Sequence, residues 1–252
     1  MTETFIPRND RLLRTCLLIS GLLVLSGVVH LGVFAVGDRP WQGPVSWRKP
    51  ATFGLSFGVT LAAITWVTSY LRIETARRRV LLGVFAADCV VEVFGITLQA
   101  WRDQPSHLNS TTPFNAAVAY TLAVGGGVLI VVLGTFANLA IRGRTEAAPP
   151  MRLALRAGFV LLLAGLASGA AMIAVGSAAM HTGTAAHAYK VTGFLKGFHA
   201  VTLHGVVVLP GLAWVLERRG LDEAAQYRAI GLAVALYAVA ASVVLVLNLL
   251  AL

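Results

Sequence analysis

Hydrophobic and polar positions alternate along this chain in blocks of tens of residues. Long apolar runs, each closed by a short polar stretch rich in Arg, Gly or Pro, follow one another from end to end. About 20 apolar residues, rising ~1.5 Å each, cover the hydrocarbon core of a bilayer. The pattern therefore predicts seven membrane helices, at 12–36, 51–71, 80–101, 114–141, 153–179, 195–216 and 229–251. The fold class is all-α, a polytopic single domain over residues 1–252. The first 14 residues, MTETFIPRNDRLLR, are polar, and the run after them is longer than a signal-peptide core. The first run is read as a retained helix.

Punctuation supports the boundaries. Pro50 suits the first turn of the second helix, where a missing N–H costs nothing. Ser110-Thr111-Thr112-Pro113 is a cap-and-proline start for the fourth. Gly54 and Gly58 stand at the spacing that lets two helix backbones approach. Gly125-Gly126-Gly127 marks close packing or a bend in the fourth helix, and Pro210 predicts a kink in the sixth. A faint repeat relates Leu25–His30 (LSGVVH) to Ala167–Met172 (ASGAAM), Lys49 to Lys196 and Gly58-Val59 to Gly205-Val206. It implies two parallel three-helix units joined by the fourth helix, a 3+1+3 arrangement.

Composition narrows the solvent. The chain is 57% apolar and 12% charged, with mean hydropathy +0.77, against about 25% charged in a soluble domain. Too few polar side chains remain for a water-facing surface, so the main partner is the lipid bilayer. The net charge of +9 does not indicate nucleic acid, because its distribution follows the membrane. Arg8, Arg11, Arg14, Arg72, Arg77, Arg78, Arg79, Arg142, Arg144, Arg152, Arg156, Arg218, Arg219 and Arg228 fall at one set of connections. Arg39, Arg48, Lys49, Arg102, Lys190 and Lys196 fall at the other. Positive charge marks the cytoplasmic side. The N-terminus is expected in the cytoplasm and the C-terminus outside. Cys16 and Cys89, both within spans, form neither a disulfide framework nor a metal knuckle.

Candidate chemistry collects on the outer side. All six histidines, His30, His107, His181, His187, His199 and His204, lie in the outer half or in outer loops. Asp88, Glu92 and Gln99 share one helical stripe, and ionisable residues within a span mark function by default. By helical rise, Glu92 and His204 lie about 13 Å below the outer helix ends, His30 about 9 Å and His199 about 6 Å. His199 and His204 are about 140° apart on a regular helix, so at most one of them faces a given point. The expected site is an outward-facing pocket. Glu92 and Asp88 are its candidate catalytic groups, and His30, His199 and His204 its candidate ligands for zinc, copper or iron, or for haem b. Lys49, Gln99, Arg102, Ser106, His107, Asn109 and Lys196 would hold a small anionic or lipidic substrate. A small proton-coupled transporter and an accessory subunit of a membrane complex are the alternatives. Trp41, Trp47 and Trp101 on one side, and Trp66 and Trp214 on the other, are expected as interfacial belts. No dinucleotide fingerprint, phosphate loop, HExxH or CxxC occurs.

Three segments carry a resemblance. Trp47–Phe57 (WRKPATFGLSF) is similar to W-x-K-P-x-x-F-x-x-S, and Gln99–Phe114 (QAWRDQPSHLNSTTPF) to Q-A-x-R-x-x-x-S-H-x-N-x-x-T. His199–Pro210 (HAVTLHGVVVLP) is similar to H-x-x-x-x-H-x-x-x-x-x-P. Together they resemble a family of uncharacterised bacterial multi-pass membrane proteins. The departures are Thr52 for a basic residue, Leu108 for Phe and Asn115 for Asp. The resemblance implies a bacterial inner-membrane location. It singles out Lys49, Gln99, Arg102, Ser106, His107, Asn109, His199 and His204 as a signature, and it implies no activity.

Overall fold

In a computed structural model, residues 10–143, 145–183 and 185–251 are described; Arg8 and Arg144 of the charge pattern lie outside them. The elements are α1 (Arg11–Val36), α2 (Arg48–Val67), α3 (Thr75–Trp101), α4 (Pro113–Arg142), α5 (Pro149–Thr182), α6 (Ala185–Val191), α7 (Lys196–Leu203), α8 (Gly205–Arg218) and α9 (Glu223–Leu250). A 3-10 turn, Thr68–Tyr70, extends α2. Among the described residues seven helical stretches are long and apolar enough to cross a membrane, with α7 and α8 together forming the sixth. The protein is a multi-pass membrane protein of the all-α class. Among the described residues the one β-contact is an isolated bridge between Leu71 and Thr145.

The expected starts are present for stated reasons. The Thr112 hydroxyl accepts the Asn115 N–H at 3.2 Å and Pro113 opens α4, while Asp10 and Asp222 cap α1 and α9. Helices pack in two groups. α1, α2 and α3 contact one another; so do α5, α7–α8 and α9; α4 touches α3 and α5, and α2 meets α8 across the middle. This is the grouping that the repeat implies. Glycines set the tightest crossings. A Cβ at Gly27 would lie 2.6 Å from the Leu55 nitrogen, and one at Gly54 would lie 2.7 Å from the Gly27 nitrogen. Ser20 donates to the Gly58 carbonyl at 2.6 Å across the same seam. In the other group, a Cβ at Gly158 would lie 2.9 Å from the Gly205 carbonyl oxygen.

Two segments differ from the expectation. The sixth span is broken at His204, six residues before Pro210. There the ring Nδ1–H donates to the Ala200 carbonyl at 2.8 Å, while the His204 backbone N–H turns to Thr202. The side chain has taken the acceptor that a continuous helix gives to the backbone. Residues 185–191, expected as loop, form the short helix α6.

The interior is polarised along the bundle axis. Leu13, Cys16, Leu61, Ile64, Leu82, Phe85, Phe136, Phe159 and Leu209 fill the half toward the Arg-rich connections. His30, Ser46, Gln99, Ser106, Asn109 and Asn115 are the buried polar groups of the other end. The first end is mostly apolar, with Ser20, Thr65 and Thr68 buried among its side chains, and the other carries more of the buried hydrogen-bonding groups.

Candidate functional site

The polar end is built on the junction of α3 and α4. Gln99, in the last turn of α3, is fully buried, and Asn115 in the first turn of α4 nearly so. The Gln99 amide N–H donates to Asn115 Oδ1 at 3.1 Å, and Asn115 in turn donates to Gln104 Oε1 at 3.2 Å and Thr111 Oγ1 at 3.0 Å. Arg102 Nη1 donates to both amide oxygens, Gln99 Oε1 at 2.5 Å and Asn115 Oδ1 at 2.9 Å. Its guanidinium carbon lies 4.4 Å over the Phe114 ring. Asn115, singled out in the sequence only as a departure from the family pattern, is the hub. The visible signal was its place three residues after the cap Thr112.

The connection from Asp103 to Thr112 folds back over the bundle. Asp103 and Leu108 adopt positive φ, 52° and 57°, at about 1–2 kcal/mol each for a residue with a Cβ. Leu108 is held against bare backbone at Gly176 of α5, where a Cβ would lie 2.8 Å from its Cδ1. Asn109 donates to the Pro105 carbonyl at 3.1 Å and accepts from the Thr111 hydroxyl at 2.7 Å. Tyr189 of α6 donates to the His107 carbonyl at 3.2 Å. The His107 ring sits 6.2 Å from the Phe53 ring of α2, and its Nδ1 lies 2.9 Å from Ser106 Oγ. Burial, and secondarily the Lys49 charge, push the His107 pKa down to about 3.

Three cations gather beside this loop. Lys49 feels the charges of Lys196 and Arg48, and Lys196 that of Arg48. The Lys196 ammonium lies against Gly193. Among the described residues none of the three has a carboxylate partner; the two ion pairs, Arg39–Asp103 at 3.5 Å and Arg72–Glu146 at 3.0 Å, lie elsewhere. Lys49, Lys196, Ser106, His107 and Asn109 thus lie in or beside this loop. Arg102 and Gln99 turn from it toward α4.

Asp88 and Glu92 lie deeper, and both face Gly125. A Cβ there would stand 2.5 Å from Glu92 Oε1 and 2.9 Å from Asp88 Oδ1. Both residues are buried, Asp88 Oδ2 has no hydrogen-bond partner, and neither forms an ion pair among the described residues. Of the three consecutive glycines, Gly126 and Gly127 have open space around them; the fourth helix is continuous through all three.

The histidines stay apart. His30 accepts from Trp101 Nε1–H at 3.1 Å and donates through Nδ1 to the Ser26 carbonyl at 2.7 Å. His204 lies 3.3 Å from Ser56 Oγ through Nε2, with Nδ1 held by Ala200. His199 donates through Nδ1 to the Gly165 carbonyl at 2.8 Å, with Ser168 Oγ at 3.2 Å. Both ring nitrogens of His30 and His204 are occupied, and neither ring meets Glu92. Among the described residues no three His, Cys, Asp or Glu side chains gather closely enough to hold a metal ion. As arranged, His30, His199 and His204 do not gather around one shared metal ion. His181 and His187 are exposed, at the end of α5 and in α6.

Trp47 differs from the belt expectation. It is fully buried, 6.1 Å from the His30 ring and 5.1 Å from the Trp101 ring, with the Arg39 guanidinium 4.2 Å above it. Trp101 is exposed, as the belt requires. No family model, curated protein or solved structure matches the chain.

Proposed function

We propose that this membrane protein binds a small anionic substrate at the mouth formed by the N-terminal ends of α2 and α7 and the loop 103–112. The observation that carries this reading is the group Lys49, Arg48 and Lys196, three positive charges at one place with no carboxylate among the described residues to neutralise them. Like charges held together in a partly desolvated site repel each other, and an anion removes that repulsion. Ser106 and His107 would add hydrogen bonds, and Tyr189 would hold the loop closed. The charge pattern of the connections supports a mouth facing away from the cytoplasm. The resemblance to the uncharacterised bacterial family supports the same residues, since Lys49, Ser106, His107 and Asn109 belong to its signature. Removing Lys49 tests the reading: Lys49→Gln should weaken saturable binding of acetate or inorganic phosphate at this mouth about tenfold or more. Unchanged binding would refute it.

A second reading has its own observation. Asp88 and Glu92, buried side by side against Gly125 without a cationic partner among the described residues, support a proton-coupled carrier. Substrate-dependent proton flux in liposomes should then be lost in Glu92→Gln. The metal or haem reading has less support, because the ring nitrogens it needs are engaged with Ser26, Trp101, Ala200 and Ser56.

A further inference from the structure

Arg102 is unusual in what holds it. An arginine fixed for structural reasons is most often fixed by a carboxylate, and one is adjacent in sequence. Asp103, however, pairs with Arg39. Arg102 instead spends Nη1 on two neutral, buried amide oxygens and lays its plane on Phe114. The amides are themselves locked by Gln104, Thr111 and the Pro105 carbonyl. This network immobilises the guanidinium without neutralising it. The opposite edge, Nε with Nη2, has no partner among the described residues and belongs to an exposed residue. That edge presents two parallel N–H groups, the geometry that takes two oxygens of one oxyanion. α4 starts at Pro113, so the positive end of its dipole lies at the same place.

The ligand class follows from position. Arg102 caps α3 at the end of a membrane span, between the exposed rings of Trp101 and Phe114. The abundant oxyanion at that level is phosphate, either of lipid headgroups or free in the adjoining water, and the guanidinium fork matches its geometry. We propose that Arg102 is a preorganised phosphate clasp, a binding site separate from the Lys49 mouth, which takes two oxygens of a single phosphate through its free edge. Gln99 and Asn115 are its positioning residues. The inference stands on different residues from the proposed substrate site, and either can fail alone.

The test uses the full chain in a neutral maltoside detergent. Thermal unfolding is followed on adding phosphatidylglycerol, a phosphate-free glucosyl diacylglycerol or inorganic phosphate, and each variant is compared with its own lipid-free baseline. The expected result is a rise in midpoint with phosphatidylglycerol or with inorganic phosphate, and none with the glucolipid. Arg102→Gln should lose at least half of that rise. Arg102→Lys, which keeps the charge but not the fork, should lose nearly as much. A phosphatidylglycerol response without an inorganic phosphate response assigns the clasp to lipid, and the reverse assigns it to free phosphate. An equal rise with the glucolipid, or an undiminished rise in Arg102→Gln or Arg102→Lys, overturns the proposal. Native mass spectrometry of the unmodified chain provides a check without any variant. Retained glucolipid equal to retained phosphatidylglycerol, with no phosphate adduct, also overturns it.

Discussion

A side chain at position 125 would occupy the space of two carboxyl groups. The Cβ of Gly125→Ala would stand 2.5 Å from Glu92 Oε1 and 2.9 Å from Asp88 Oδ1, so α3 and α4 would have to move apart. Overpacking of this kind costs about 1–3 kcal/mol. Gly126→Ala, with nothing within 4 Å, should be neutral or stabilising by up to about 1 kcal/mol. Chemical unfolding in detergent micelles would show the contrast, and equal effects at both positions would contradict this packing. His107 provides a pH signature. Its pKa is about 3 in the fold against 6.5 for the free side chain, chiefly through burial. The unfolded chain therefore takes up the proton first. The stability tied to neutral His107 is complete above pH 6.5 and is lost as pH falls from 6.5 toward 3. Thermal midpoints of His107→Gln should fall less steeply over that window than those of the unmodified chain. At this scale the sequence showed which residue types to single out but not their partners. The Asn115 hub and the separation of His30 from Glu92 depend on side-chain directions between helices, which helical rise does not encode.

Elements repeat the lesson with a different cause. Span lengths, the Thr112 cap and the Gly54–Gly58 crossing are local properties and were legible. The break at His204 was not, because it depends on one ring N–H displacing a backbone N–H at the Ala200 carbonyl. Pro210, read in the sequence as a kink, sits inside α8, six residues past that break. The α1–α2 pair is the most extensively packed pair of described helices, and at Gly54 the obstructing atoms are Gly27 backbone, which cannot swing away. Gly54→Leu should therefore destabilise the chain by about 1–3 kcal/mol or prevent its folding. The same substitution at Gly21, which has nothing within 4 Å, should leave the unfolding midpoint nearly unchanged. A Gly54→Leu protein as stable as the parent would contradict the crossing.

At the scale of the whole molecule, an apolar half and a polar half share one bundle. The all-α, seven-span architecture was readable because the bilayer imposes a length on every helix. The two three-helix groups were faintly readable, because glycines recur where backbones touch in each. Which half would be polar was visible only as the outward drift of histidines. Orientation is testable with cysteine labelling, since Cys16 and Cys89 are buried. Ser110→Cys should react with a membrane-impermeant maleimide on intact cells, and Arg77→Cys only after permeabilisation. The opposite pattern would put the mouth in the cytoplasm. The most direct test of the substrate site is an equilibrium binding isotherm for acetate and inorganic phosphate on the full chain in nanodiscs of zwitterionic lipid, comparing the unmodified protein with Lys49→Gln. The expected result is saturable, salt-sensitive binding of at least one anion, weakened about tenfold or more, roughly 1.4 kcal/mol, in the folded variant. Binding of neither anion, or the same affinity with and without Lys49, would contradict it.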